Sequence, residues 1–509
     1  AGDWAVGPDV LDSCLQTTGA LIDREEVVFA PAAIQSVRVF GPATGTVKCY
    51  ATRRQAGSSD TERRFIADVH LVTESGQLLG ELLGVRFEAL RELDGWSNES
   101  RRVSNVYQVQ WNEISQKEHD GQDSGAKFLI VADAGGVCGQ LAQRLRARGS
   151  EVTITGDLNS HHPVEPGVEI VWCRTLDQGL DPVDACAKAV NMVKAATANA
   201  TPCTILTCGG VHATESDRKF DPAGSALWGL VRSLAVEQKE LKPRILDIGS
   251  AGVPAELDCI VSALLNRHVG RQVAVRNEVL LTPRLNRYPN LPRNSGPFLN
   301  GDGAYLVTGA FGGLGSRLAA WLVRNGAKDL WLVGRNVPVN AAVLGPDVRV
   351  HMYAGDVSDP ETVEKLIQEI SRSGSQLRGV FHLALELSDG AVINQSEETL
   401  ERVFSAKWRG AWNLHLMTQG MSLDHFVAFS SVLAVLGGAG QGNYTAACTA
   451  VDELIAQRRA IGQPGISIHW GPWAYDHSAG LKALDQPQQA FRSFSPIPEP
   501  HGFELLGLL

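Results

Sequence analysis

The apolar positions of this chain follow two different periods. Over residues 69–87 they alternate singly around Gly76, the period of an antiparallel hairpin with one buried face. Short alternating strands around one early helix are expected across residues 1–90. From Lys127 onward, short runs of branched and aromatic residues alternate with longer amphipathic stretches. Residues 128–131, 168–173 and 204–207 read as buried strands, and 139–148, 182–198 and 223–239 as helices. A second series opens with a strand at 304–307 and a helix at 318–325. Its later strands fall at 330–333, 348–352, 379–383, 425–429 and 466–469. The pattern predicts an α/β chain with two tandem doubly wound parallel-sheet lobes of Rossmann type, behind an α+β segment. They read as a duplicated unit of which only the second copy keeps its glycines.

The boundaries follow from composition. Residues 1–92 form the N-terminal segment. Residues 93–125 are polar and linker-like, but 106–111 alternate as a strand that begins the next domain. The first lobe covers 126–290 and the second 291–509. A chain of 509 residues with 44% apolar and 20% charged positions has the make-up of a globular protein with several cores. A net charge of −10 without a basic block gives no reason to expect nucleic acid. Nine scattered cysteines with no CxxC pair argue for reduced thiols in a cytoplasmic setting, and against a metal site or a disulfide framework. No apolar run is long enough to span a membrane. The chain starts without Met and stops within Leu505-Leu506-Gly507-Leu508-Leu509, as a piece of a larger protein would.

The candidate chemistry lies in the second lobe. Thr308-Gly309-Ala310-Phe311-Gly312-Gly313-Leu314-Gly315 follows a strand and opens a helix. Glycines there allow a sharp turn and a close approach to a pyrophosphate, held by the N–H groups of the helix start. In the first lobe, Asp133-Ala134-Gly135-Gly136-Val137-Cys138-Gly139 is a partial echo with no catalytic residues after it, so that lobe reads as structural. Arg335, after the second strand, suits a ribose 2′-phosphate better than a 2′-hydroxyl and favours NADPH/NADP; a solvated arginine is the plainer alternative. Asp356 and Val357 are placed to face the adenine, though Asp356 would serve equally as a turn or cap residue.

Ser431 ends a strand thirteen residues before Tyr444. A phenol that protonates a carbonyl near neutrality needs its pKa, ordinarily near 10, brought down by a neighbouring cation. No lysine stands four residues after Tyr444, so Lys407 from another helix is the candidate. Each of the three could alone be a core tyrosine, a strand-end cap or a solvated lysine; together, in this order, they point to nucleotide-dependent ketone reduction.

Residues 104–509 resemble the ketoreductase domain of a modular type I polyketide synthase, within the short-chain dehydrogenase/reductase superfamily. The strand at 106–111, Gly229-Leu230-Val231-Arg232-Ser233-Leu234-Ala235, Thr282-Pro283-Arg284-Leu285, the glycine turn, Phe429-Ser430-Ser431, Gly440-Gln441-Gly442-Asn443-Tyr444 and Trp470-Gly471-Pro472-Trp473 carry the likeness. It implies NADPH reduction of a β-ketoacyl group on acyl carrier protein, among the other domains of a synthase that makes a secondary metabolite. Ser431 and Tyr444 would bind and protonate the carbonyl, Lys407 would support Tyr444, and residues after Trp473 would form a lid. Asp389 in Leu387-Ser388-Asp389, together with Leu436 where the opposite stereochemical type has Trp, implies B-type stereochemistry, although Asp389 could simply cap a helix.

The sequence departs from the family at two places. Cys448 replaces an Asn one helical turn after Tyr444, a weak donor and acceptor for a carboxamide. Ala384-Leu385-Glu386 replaces Ala-Ala-Gly, which puts bulk and charge near the expected nicotinamide. These departures motivate the alternative of a catalytically silent or epimerising domain that acts as a structural and docking element. Residues 1–92 resemble the C-terminal hotdog half of a polyketide synthase dehydratase, with Asp12 as its acid and Gln16 beside it. Gly7 stands where that family has His, and no HxxxGxxxxP segment precedes it, so a remnant or a cut domain is expected.

Overall fold

A computed structural model describes residues 29–41, 47–54, 64–89, 106–114, 125–158, 164–177, 179–249, 254–266, 269–288, 298–299, 301–338, 344–474 and 496–508. They fall into two compact units, 1–106 and 107–509. In the first unit, β1 (Phe29–Val39), β2 (Val47–Arg53), β3 (Arg64–Thr73) and β4 (Leu78–Ala89) form an antiparallel sheet in the order β1-β4-β3-β2. The expected hairpin is β3–β4. Gly76 takes φ +87° in its turn, a region that glycine enters without strain. Phe65, Ala67, Val69 and Leu71 alternate into one face against Leu82, Val85 and Phe87, with the Phe65 and Phe87 rings stacked at 4.8 Å. The expected helix with Asp12 and Gln16 lies outside the described residues.

The second unit opens with β5 (Tyr107–Glu113), followed by β6 (Lys127–Val131), α1 (Val137–Ala147), β7 (Glu151–Thr155) and β8 (Val168–Trp172). Then come α2 (Pro182–Thr197), β9 (Cys203–Cys208), α3 (Pro222–Glu237), β10 (Arg244–Ile248), α4 (Pro254–Leu265), β11 (Gln272–Arg276) and β12 (Val279–Arg287). Their sheet runs β5-β12-β11-β10-β9-β8-β6-β7, parallel except at β12, which pairs antiparallel with both β11 and β5. The strand expected at 106–111, observed as β5, therefore closes this lobe by pairing its residues 107–113 with 281–287.

The second lobe holds β13 (Gly303–Thr308), α5 (Gly313–Arg324), β14 (Asp329–Gly334), β15 (Arg349–Ala354), α6 (Pro360–Arg372) and β16 (Gln376–His382). It continues with α7 (Glu397–Phe404), α8 (Gly410–Met417), β17 (His425–Ser431), α9 (Gly442–Ala460), β18 (Ile466–Trp470) and α10 (Glu499–Leu508). Its sheet is wholly parallel in the order β15-β14-β13-β16-β17-β18. The strand order reverses between β13 and β16, and in such sheets the crevice for a ligand opens there, at the carboxyl ends of the strands.

The lobes join through α3 and α9. A Cβ on Gly229 would lie 2.2 Å from the Thr445 carbonyl oxygen, so only glycine lets the two backbones approach this closely. Ser233 and Thr445 bond hydroxyl to hydroxyl at 2.8 Å, and the His212 ring reaches Glu453 at 2.9 Å and Gln457 at 3.0 Å. The first lobe thus buttresses the helix that carries Tyr444.

Candidate active site

The glycine turn sits at the crevice. Gly309 takes φ +68°, and a Cβ there would meet the Ala384 N and Leu383 C atoms at 2.9 Å; a Cβ on Gly315 would come within 2.2 Å of the Gly309 oxygen. Gly312 precedes α5 with no side-chain cap, which leaves the first N–H groups of the helix to an anion. In the first lobe the matching helix start is filled by the chain itself. Asp133 accepts from the backbone N–H groups of Val137 at 2.9 Å and Cys138 at 2.8 Å. A second anion there would meet a carboxylate.

Of the other expected nucleotide contacts, the Thr308 hydroxyl turns inward to His382, and Phe311 packs its ring over Gly334. Asp356 accepts from the Ser358 N–H at 2.9 Å, the turn role that its residue type allowed. Val357 is buried against Gly410. Arg335 directly follows β14, and its Nη1 lies 2.7 Å from Glu386 Oε2. Glu386, expected beside the nicotinamide, pairs instead with the arginine expected to hold the 2′-phosphate.

Ser431, Tyr444 and Lys407 converge from β17, α9 and the helix between α7 and α8. That helix relaxes into a π-turn at Ser405–Arg409, a form that recurs at functional sites and here carries Lys407. The looser turn leaves the Lys407 carbonyl open to His382 Nε2 at 2.9 Å. A carbonyl only accepts, so Nε2 carries the hydrogen, and Nδ1 accepts from the Thr308 hydroxyl at 2.8 Å. Burial and the nearby Lys407 charge push His382 down to about 3, which keeps the ring neutral in this role. His382 thus ties the end of the glycine-turn strand to the lysine. Its signal, a histidine ending a run of buried strand residues, was not distinctive.

The electrostatics differ from expectation. Tyr444 is raised well above 10, first by burial and then by Cys448, while a hydrogen bond with Ser431 pulls it down. Lys407 is 1% exposed, and its ammonium donates to the Phe429 carbonyl. Burial lowers its pKa, opposed by Cys448 and Asp452. The expected downward shift of the phenol is absent, because burial outweighs the pull of Ser431, while the Lys407 ammonium is turned to the backbone of β17. Cys448 is fully buried and pushed up to about 11, chiefly by burial, against the pull of Lys407 and of a hydrogen bond to Tyr444.

Two loops flank Tyr444. Gly390 N–H donates to the Gly440 carbonyl at 2.8 Å, Gln441 Nε2 to Asp389 Oδ1 at 3.2 Å, and Asn443 Nδ2 to the Ser388 carbonyl at 2.7 Å. The next α-helix after Asp389, α7, is capped by Ser396 and not by that aspartate. Leu436, at the stereochemical Trp position, is 45% exposed. The expected lid is described only as far as Ala474 and from Pro496 onward. Among the described residues the eight cysteines are free thiols, no cluster of metal-ligating side chains occurs, and no helix is long and apolar enough to cross a membrane.

Comparison with known proteins agrees with this architecture. Residues 303–475 match the family model described as the KR domain, and residues 109–285 the Rossmann fold domain of the polyketide synthase extender module SpnB. Residues 1–95 match the polyketide synthase dehydratase N-terminal domain. The dehydratase likeness holds, although that description names the other half from the one expected. One component of the phenolphthiocerol/phthiocerol polyketide synthase of Mycobacterium tuberculosis (strain CDC 1551 / Oshkosh) is 28% identical over 92% of this chain and 28% of its own length. The spectinabilin polyketide synthase system protein NorA of Streptomyces orinoci is 36% identical over 64% of this chain and 18% of its own length. The chain thus spans under a third of these relatives. Among solved structures, the first ketoreductase of the tylosin polyketide synthase superposes with TM-score 0.67 at 27% identity, covering 80% of this chain and 90% of that one. A structure of A-type ketoreductases from a modular polyketide synthase superposes at 0.69 with 24% identity, covering 80% and 91%, a likeness of fold. The chain carries a Rossmann-type ketoreductase domain. Three family models in tandem, each over less than half of the chain, relate it to the ketoreductase region of polyketide synthases, behind a dehydratase-like segment.

Proposed function

We propose that this site reduces a β-ketoacyl group, carried as a thioester on acyl carrier protein, to a β-hydroxyacyl group of B-type configuration. The convergence of Ser431, Tyr444 and Lys407 at the strand-order crevice, next to a glycine turn shaped for a pyrophosphate, carries the reading. An NADPH held by the turn at 309–315 and Arg335 would supply hydride. The Ser431 hydroxyl orients the ketone oxygen, and Tyr444 gives that oxygen its proton. Burial, which raises the phenol's pKa, disfavours the tyrosinate left after that transfer, and a nearby cation is what offsets the cost. Lys407 fixes the carbonyl end of β17 and places a cation behind the tyrosinate that forms. Asp389, tied to Gln441, sets the side from which the acyl chain approaches.

The buried Cys448 thiol one turn after Tyr444 favours one second reading, a domain that exchanges the α-proton or only docks its neighbours. NADPH consumption with a diketide thioester separates the two. Tyr444→Phe should abolish reduction and leave nucleotide affinity within about twofold; an active variant, or α-deuterium loss without NADPH consumption, would refute the reductase assignment.

A further inference from the structure

We propose that Glu386 is a cofactor-selecting residue: its carboxylate occupies the guanidinium of Arg335 and so narrows the preference of this site for a 2′-phosphorylated dinucleotide over NAD(H). The inference rests on the dinucleotide reading of the glycine turn, and it concerns only the adenosine end of that site.

Arg335 lies immediately beyond β14, where the residue type decides between a ribose 2′-hydroxyl and a 2′-phosphate. An arginine suits the phosphate because its planar fork matches two phosphate oxygens. Here that fork is already engaged. Its Nη1 stands 2.7 Å from Glu386 Oε2, with the two side chains 55% and 28% exposed. Arg402 approaches the other oxygen of Glu386 at 3.8 Å, but it also pairs with Glu398 at 3.3 Å, so its charge is shared. An exposed pair of this kind is weak and yields to a stronger ligand. It still leaves a carboxylate where a phosphate dianion would arrive, and like charges in contact oppose binding even when screened. A 2′-hydroxyl meets the opposite situation. It is a donor, and Glu386 supplies the acceptor that an acidic residue at the strand end provides in NAD-selective sites. One side chain thus weakens the phosphate-bearing ligand and leaves the other a partner. Glu386 comes from the segment after β16 rather than from the end of β14, so the usual position alone does not reveal the opposing group.

The test is calorimetric titration of the full chain with NADP⁺ and NAD⁺, repeated with 2′,5′-ADP and 5′-ADP, none of which requires turnover. Glu386→Ala should tighten NADP⁺ and 2′,5′-ADP about five- to tenfold, the effect of one screened charge contact. NAD⁺ and 5′-ADP should be unchanged or weaker. Arg335→Ala should abolish any preference for the 2′-phosphorylated member of each pair and, with Glu386 left in place, turn it toward NAD⁺ and 5′-ADP. An affinity ratio that stays within twofold of the wild type in Glu386→Ala, while wild-type binding is normal, would overturn the assignment to Glu386 alone. Equal tightening of both ligands would overturn it too, as a general charge effect. A wild-type chain that binds neither nucleotide would overturn the dinucleotide reading as well.

Discussion

Tyr444 and Cys448 stand one turn apart on α9, with Asp452 one turn further along the same stripe. The 3.6-residue period puts positions 444, 448 and 452 on one helix face, and that face looks at the carboxyl end of β17. The thiol is a poor partner for a phenol that must give up a proton and regain it. Cys448→Asn should therefore raise kcat for β-ketoacyl reduction several-fold, with Kd for the nucleotide unchanged. A fall in kcat, with the fold intact by circular dichroism, would show instead that this site is adapted to the thiol.

Asp452 continues the stripe into an ion pair. Its carboxylate lies 2.8 Å from His469 Nε2 and also accepts from Ser467. Burial opposes its charge, yet His469 and the hydroxyl donors hold its pKa below 3.8. Burial likewise opposes the imidazolium, and Asp452 lifts it above 6.5. The signs give a window. The Asp452 contribution is present above its unfolded pKa and is lost as pH falls through the lower folded one. The His469 contribution is fully present below 6.5 and is lost as pH rises through the higher folded value. Urea unfolding of wild type and His469→Gln should differ most between about pH 4.5 and 6.5 and converge in alkali. A pH-independent gap would mean that the histidine acts only by packing.

The parallel lobes were legible because short, wholly apolar strands and amphipathic helices leave strong signals, as at residues 128–131 and 330–333. Ser431, Tyr444 and Lys407 were legible as residue types at a spacing. What their charges do was not. The Lys407 bond to the Phe429 carbonyl depends on the π-turn, which no local pattern announces. The Arg335–Glu386 pair joins positions 51 residues apart, and only the sheet order brings them together. Asp133 looked like part of a degraded glycine turn; once folded, it is the anion that fills the helix start.

Gly229 measures how firmly the first lobe holds α9. A methyl group there would stand 2.2 Å from the Thr445 oxygen and 2.7 Å from the Ala446 Cα, both backbone atoms that no rotamer change can move. Gly229→Ala should force α3 and α9 apart, at about 3 kcal/mol of stability in urea unfolding. Because Tyr444 precedes Thr445, kcat should fall further than the folded fraction does. Wild-type stability would show that the crossing is looser than these distances imply.

Glu237, at the end of α3, reaches into the same loops from the non-catalytic lobe. Its two carboxylate oxygens accept from the Val392 N–H at 2.7 Å and the Gly440 N–H at 2.8 Å, which ties the Asp389 loop to the segment entering α9. Burial raises its pKa above 4.5, and the two amide donors only partly offset that. A carboxyl group whose pKa is raised by folding loses stability as pH rises through the folded value, so the ionised form is held at a cost. Glu237→Gln removes that cost, but it turns an NH2 group toward one of the amide donors. Global stability near neutrality should therefore change by less than about 1 kcal/mol. The loops should loosen, seen as faster hydrogen exchange at the Val392 and Gly440 amides, and the β-hydroxyacyl product should lose stereochemical purity in chiral chromatography. Unchanged exchange together with unchanged purity would reduce Glu237 to a surface cap, with no part in presenting the acyl chain to Tyr444.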